Sequence, residues 1–235
     1  MLFFDPILLI ITGVFALIGF IVSSTLKSKF HKFSRTPLSS GLSGKEVAEK
    51  MLRDSNIHDV KVTAVQGQLT DHYNPLTKTV NLSTDVYNGR NIAAAAVAAH
   101  ECGHAVQHAQ GYAWLQMRSS LVPVINVGNS ILNIVLIGII VLAFVNPHLS
   151  NMGLLVMIIM QALMTVFTLF SLPVEVDATN RALQWLNDSR ISDRGEEYAR
   201  AKNALTWAGL TYFVAALAAI TTLLYLIMAY MGRRD

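Results

Sequence analysis

From Pro6 to Leu26 the chain runs 21 residues without a charge, and three more charge-free stretches follow: Ser119 to Val145, Leu149 to Val174, and about Ala204 to Met231. About 20 apolar residues at 1.5 Å rise cross a hydrocarbon core of about 30 Å, so each run is long enough for a membrane helix. Composition agrees. Of 235 residues 53% are hydrophobic and 14% charged, where soluble domains carry about a quarter charged. The balance excludes a disordered chain or a collagen-like one, and a single cysteine, Cys102, excludes a disulfide scaffold. The net charge is only +3, and the basic residues form no stripe interleaved with aromatics, so nucleic acid is not an expected partner.

A cleaved signal peptide is the rival reading of the first run. Asp5 is the only charge ahead of it and Lys27, Lys29, Lys32 and Arg35 follow it, an order that suits a membrane anchor touching anionic headgroups. The second and third runs are separated only by Asn146-Pro147-His148 and read as a membrane hairpin. Segment 27–118 holds eleven Lys/Arg and segment 173–203 holds five, against none in the 146–148 break, so both charged segments are expected on the cytoplasmic side. The same four-pass count puts Arg233 and Arg234 outside, a weak conflict with that rule. Two crossings separate the charged segments, so they face one compartment whichever it is.

Within the first charged segment, Ser43-Gly44-Lys45-Glu46 is a capping box ahead of a short amphipathic helix. Val60, Val62 and Ala64 alternate with polar neighbours, and Thr79-Val80-Asn81-Leu82 does the same after the Asn74-Pro75 turn signal, which predicts two short strands. From about Asn91 to Trp114 the Ala-rich composition predicts a helix, with Asn88 to Asn91 at its start and Gly111 near its end.

That helix carries His100-Glu101-Cys102-Gly103-His104, an instance of H-E-x-x-H. Two histidines one turn apart share a face and can reach one Zn²⁺, while the glutamate beside them suits a general base. The pattern alone also arises by chance, and core histidines bonded to backbone carbonyls are the bland alternative. Its context is unusual: Ala93-Ala94-Ala95-Ala96-Val97-Ala98-Ala99 precedes it, and a buried helix bearing two histidines and a glutamate needs partners that a metal supplies. Cys102 points about 200° away from His100 and reads as a small buried residue.

A third ligand is needed. His108 keeps the four-residue spacing but lies about 12 Å from His100 along a straight helix, too far to share a zinc, so it reads as a supporting or surface residue. Pro173 to Leu183 would begin a helix where the third apolar run ends, and from there Glu175 could reach the metal. On position alone, Glu175 and Asp177 could equally be acidic residues complementing a helix dipole. His72, Tyr73 and Tyr87 could donate to an oxyanion, although packing or hairpin surface is the commoner use of such residues. Asn126, Asn129 and Asn133 share one face of the second apolar run, where interhelical hydrogen bonding is favoured over a hydrated cleft.

Several motifs together resemble the YugP-like neutral zinc metallopeptidases of bacterial membranes: Asp71 to Pro75, Asn81-Leu82-Ser83, Val86 to Gly89, Ala98 to Gln107, Leu172 to Ala178 and Ala204 to Tyr212. The likeness spans nearly the whole chain. More distantly the chain is similar to the HtpX-like membrane proteases, in which a Glu-x-x-Ala-Asp helix after a membrane hairpin completes the zinc site. That resemblance gives Glu175 the third ligand position and Ala178 the alanine, while Thr179 replaces the aspartate that would orient a ligand histidine. Asp177 or Asn180 could take over that task. The HtpX-like resemblance also implies that the strand near Asn81-Leu82-Ser83 is an edge that pairs with substrate backbone.

The expected protein is therefore mainly α: an integral membrane protein with about four transmembrane helices and a small α+β, zincin-like catalytic domain containing a short sheet and the HExxH helix. The expected parts are a transmembrane helix over 1–26, a cytoplasmic catalytic domain over 27–118, a transmembrane hairpin over 119–174, a cytoplasmic helical segment with the third ligand over 175–203, and a transmembrane helix and tail over 204–235. The expected function is that of a gluzincin-type endopeptidase in the cell (inner) membrane, acting on peptide or membrane-protein substrates at the cytoplasmic face. It would hold one Zn²⁺ per chain on His100, His104 and Glu175, with a water in the open fourth position and Glu101 as base. A zinc-binding membrane scaffold or transport component is the alternative, and it would need a fourth protein ligand. An intramembrane protease would place the motif in a long apolar segment, but Ile92 to Ala99 spans only eight residues between polar flanks.

Overall fold

The structure is a computed structural model describing residues 5–143, 149–189, 191 and 195–232. The Asn146-Pro147-His148 break and the Arg233-Arg234 pair lie outside the described residues, as does the side chain of Asn129. The protein is mainly helical, with a small three-stranded sheet. In chain order the elements are α1 (Pro6–Phe33), α2 (Gly44–Asp54), β1 (Lys61–Val65), β2 (His72–Asn74), β3 (Thr79–Ser83), α3 (Thr84–Asn88), α4 (Ile92–Ala109), α5 (Ala113–Ala143), α6 (Leu149–Asp188) and α7 (Glu196–Met231). Among the described residues, four helices are long and apolar enough to cross a membrane: α1, most of α5, most of α6, and α7. They expose large apolar side chains such as Phe20, Val127, Ile134 and Met228, a surface that suits lipid and not water. Asn126 and Asn133 are also exposed on α5.

The chain divides into two compact units, one of residues 1–21, 117–172 and 212–235, the other of residues 22–116 and 173–211. In the first, Leu154 and Leu226 form a small core with Leu8, Met157, Ile158, Tyr225 and Tyr230. There α6 and α7 are joined by polar side chains: Gln161 Nε2 donates to the Ala219 carbonyl at 3.0 Å and Thr165 Oγ1 to the same oxygen at 3.2 Å. Such bonds satisfy groups that hydrocarbon cannot.

The second unit is built around α4. Its start follows from Asn91, whose side-chain oxygen accepts from the Ala94 N–H at 2.9 Å and caps the helix. Its end follows from Gly111, whose φ of +64° turns the chain toward α5. Nearly every residue between is buried, because the alanines let α2, β3, α3, and the described parts of α6 and α7 in this unit pack closely. Val47, Met51, Val80, Leu82, Val86, Ile92, Ala182, Leu186 and Leu205 belong to this core. Cys102 is wholly buried in it, with Sγ 3.5 Å from the Ala48 carbonyl. Helix α2 begins at the anticipated box: Glu46 N–H donates to Ser43 Oγ, and Ser43 N–H donates back to Glu46 Oε2 at 2.7 Å.

The fold differs from expectation in two ways. A third strand, β2, pairs antiparallel with β3, while β1 pairs parallel with β3, giving the order β1-β3-β2. The strand with Asn81-Leu82-Ser83 is thus the centre of the sheet and not its edge. Even where β2 ends, the Ser83 N–H is occupied, donating to Asp71 Oδ1 at 2.7 Å. The second difference is that α6 runs unbroken through Pro173. A new helix does not begin there, so Glu175 and Asp177 occupy no first helical turn and the helix-dipole reading of them falls away.

Candidate metal centre

Helices α4 and α6 approach each other where Gly103 meets Ala178. A Cβ at Gly103 would lie 2.6 Å from the Ala178 carbonyl oxygen, so only glycine allows this contact. One turn before each contact residue stand His100 and Glu175, and the approach brings them together. Glu175 Oε2 is 3.2 Å from His100 Nε2 and 3.5 Å from His104 Nε2. The two imidazoles lie edge to face with centroids 4.9 Å apart. One ligand atom from each of His100, His104 and Glu175 falls within 4.8 Å of the others. Ligands about 2.0–2.2 Å from a tetrahedral zinc are separated by about 3.3–3.5 Å, so the two nitrogen–oxygen separations have the spacing that such an ion imposes.

The surroundings are dry. Glu175 is 2% exposed and Glu101 and His104 are each 8% exposed. Burial opposes charge on His104, but the hydrogen bond and the field of the Glu175 carboxylate outweigh it and leave its pKa above the ordinary histidine value. Glu101 stands beside the three. Its Oε2 accepts from the backbone N–H of Tyr73 at 3.0 Å, which ties edge strand β2 to the motif helix.

Both candidate ligand histidines have their second nitrogen occupied. His100 Nδ1 lies 3.3 Å from Thr179 Oγ1, and His104 Nδ1 lies 3.0 Å from Gln107 Oε1. Neither contact stood out in the sequence, yet both residues sit at helical spacing from a ligand: Gln107 three residues after His104, Thr179 four after Glu175. Asp177 reaches His104 only through Gln107, whose Nε2 donates to Asp177 Oδ2 at 2.8 Å. Asn180 is exposed. His108 Nδ1 is 2.7 Å from the Tyr73 hydroxyl, one turn farther along α4 than the ligand pair. Burial pushes the Tyr73 phenol up to about 12, so it keeps its proton at neutral pH.

The other two oxyanion candidates are held elsewhere by the bonds they make. His72 is exposed, with Nδ1 2.8 Å from the Thr70 carbonyl and Nε2 3.3 Å from Asn81 Nδ2. Tyr87 packs on the core of the second unit, and its ring carries the Lys45 ammonium 5.5 Å from the centroid.

Comparison with known proteins accords with this site. Residues 8–231 match the family described as "Putative neutral zinc metallopeptidase". The chain is 38% identical over 210 residues to the "Putative membrane protease YugP" of Bacillus subtilis (strain 168), covering 89% of this chain and 90% of that protein. No solved structure shows a significant match. With the family match running almost from end to end and a relative of this identity beside it, the chain belongs to the family described as "Putative neutral zinc metallopeptidase".

Proposed function

We propose that this protein is a membrane-integrated zinc endopeptidase of the gluzincin type, cutting peptide bonds near the cytoplasmic face of the cell membrane. The observation that carries the reading is the convergence of His100, His104 and Glu175 on one point with Glu101 next to it. The donor set fits zinc: two imidazole nitrogens and a carboxylate oxygen, with each Nδ1 engaged by a neighbour and each Nε2 turned to the shared carboxylate. Among the described residues the set numbers three, which leaves a position open as hydrolytic sites require, whereas a structural or cargo zinc would want a fourth protein ligand.

When bound, zinc supplies Lewis acidity, easing deprotonation of water and polarising the scissile carbonyl. The protein's own residues do the rest. The Glu101 carboxylate accepts the proton of the attacking water and passes it to the leaving amine. The buried walls exclude bulk water and so strengthen each of these interactions. Of the oxyanion candidates, Tyr73 is the one tied to Glu101, through its backbone N–H, and it is the donor proposed for the developing oxyanion.

In this reading residues 27–118 and 175–203 form the zincin-like catalytic part on the cytoplasmic side, and the long apolar helices hold it at the membrane. Peptide bonds of membrane proteins near that face are the natural substrates, and removal of damaged membrane proteins is the proposed role. The test is hydrolysis of an unfolded reporter polypeptide by detergent-purified, zinc-loaded protein. Glu101→Gln should keep its zinc and lose about 10²–10⁴-fold in rate. Full activity in that variant would overturn the mechanism.

A further inference from the structure

Gln107 is the only glutamine of α4's buried stretch, and its side chain is wholly enclosed. Its Nε2 donates to two groups on α6, the Val174 carbonyl and Asp177 Oδ2, each at 2.8 Å. Both partners can only accept, a carbonyl oxygen and a carboxylate oxygen, and so fix the amide with its NH₂ toward α6. Asp177 is fixed in turn: Arg181 Nε donates to the same Oδ2 at 2.5 Å, and Arg181 Nη1 donates to Gln110 Oε1 at 2.6 Å. The carbonyl oxygen of Gln107 is then left facing His104 Nδ1 at 3.0 Å. A carbonyl oxygen cannot donate, so His104 Nδ1 must carry a proton, which leaves Nε2, on the side of Glu175, as the nitrogen available to a metal.

We infer that Gln107 is a positioning residue for the metal centre: it sets the tautomer of His104 and, through Val174, holds the turn that presents Glu175. This inference rests on the ligand set proposed above. It gives one side chain a hold on two of the three ligands from opposite helices. Asp177 acts on His104 through a neutral amide, which orients the imidazole without placing a carboxylate on its Nδ1. Partners of metal-bound histidines are worth about 10–100-fold in metal affinity.

The test uses full-length protein in detergent, stripped of metal and titrated with Zn²⁺ against a competing chelator. Gln107→Met keeps the bulk and removes both polar ends, and should raise the zinc dissociation constant about 10–100-fold. Gln107→Glu puts a second carboxylate against Asp177 and should weaken zinc at least as much. Adding Asp177→Asn to Gln107→Glu supplies an amide donor where the like charges met, and should recover part of the lost affinity, a rescue that a purely space-filling role would not give. Wild-type zinc affinity in Gln107→Met, or no recovery when Asp177→Asn is added to Gln107→Glu, would overturn the inference. Failure of the wild-type protein to bind zinc would instead overturn the ligand set itself.

Discussion

Gly103 of α4 lies against the backbone of Ala178 of α6, so close that a methyl group on Gly103 would sit 2.6 Å from the Ala178 carbonyl oxygen and 3.1 Å from its Cα. The contact limits the distance between the helix bearing His100 and His104 and the helix bearing Glu175. Gly103→Ala is therefore expected to force α4 and α6 apart, with about 1–3 kcal/mol of overpacking strain. Zinc retention should fall with it, because Glu175 can no longer lie within reach of both Nε2 atoms. Gly209→Ala is the control: nothing lies within 4 Å of a Cβ built there, and in a helix interior alanine is favoured over glycine by about 0.5–1 kcal/mol. Metal content and melting temperature of the two variants, side by side, check this.

Thr179 makes a second prediction. Its hydroxyl is 3.3 Å from His100 Nδ1, in the place where the HtpX-like pattern has an aspartate. Thr179→Val keeps the shape and removes the acceptor, and should weaken zinc about tenfold. Thr179→Asp should restore or tighten binding, since a carboxylate is a stronger acceptor for an imidazole N–H. Chelator competition on the metal-free protein reads both. Equal affinities in wild type and Thr179→Val would remove Thr179 from the account.

These two positions show what the sequence made legible. The H-E-x-x-H spacing makes two candidate ligands and the carboxylate at the edge of their face legible, because helix geometry alone brings positions four apart onto one face. The four apolar runs, the Ser43 capping box and the Asn91 start were readable for the same reason: each depends on neighbours in sequence. Glu175 was placed through resemblance, because its approach to α4 depends on the crossing of Gly103 and Ala178, 75 residues apart in sequence, which no local pattern encodes. Strand β2, three residues long, has too few positions to show a period. The unbroken passage of α6 through Pro173 also went unread, since proline's local preference is to start or end a helix and here the rest of α6 overrides it. Gln107 was legible in principle at i+3 from His104, but nothing in the sequence says that Asp177 lies within its reach.

Asp71 gives a prediction about pH. Its carboxylate accepts from the Ser83 N–H at 2.7 Å and from Ser83 Oγ at 3.2 Å, holding the approach to β2 against β3. Burial raises its pKa above the ordinary aspartate value in spite of those two bonds. A folded-state pKa above the unfolded one means that the folded protein binds the proton more tightly. The stabilisation from that proton is complete below the unfolded value and is lost as pH rises through the raised one. Asp71→Asn keeps the acceptor for the Ser83 N–H and removes the desolvated charge, so at neutral pH it should be as stable as wild type or more so, with the margin shrinking on acidification. Asp71→Ala removes the acceptor as well and should cost about 1–3 kcal/mol. Melting temperatures of the three proteins between about pH 7 and pH 4, a range that covers carboxyl titration, test the sign.

The most direct test of the central claim is the zinc content per chain of detergent-purified wild type, Glu175→Ala and Glu101→Gln. Three ligands and a base that is not a ligand predict about one zinc in wild type and in Glu101→Gln, and its loss in Glu175→Ala. A Glu175→Ala protein that keeps its zinc, or a Glu101→Gln protein that loses it, would contradict the assignment of His100, His104 and Glu175 as the metal centre.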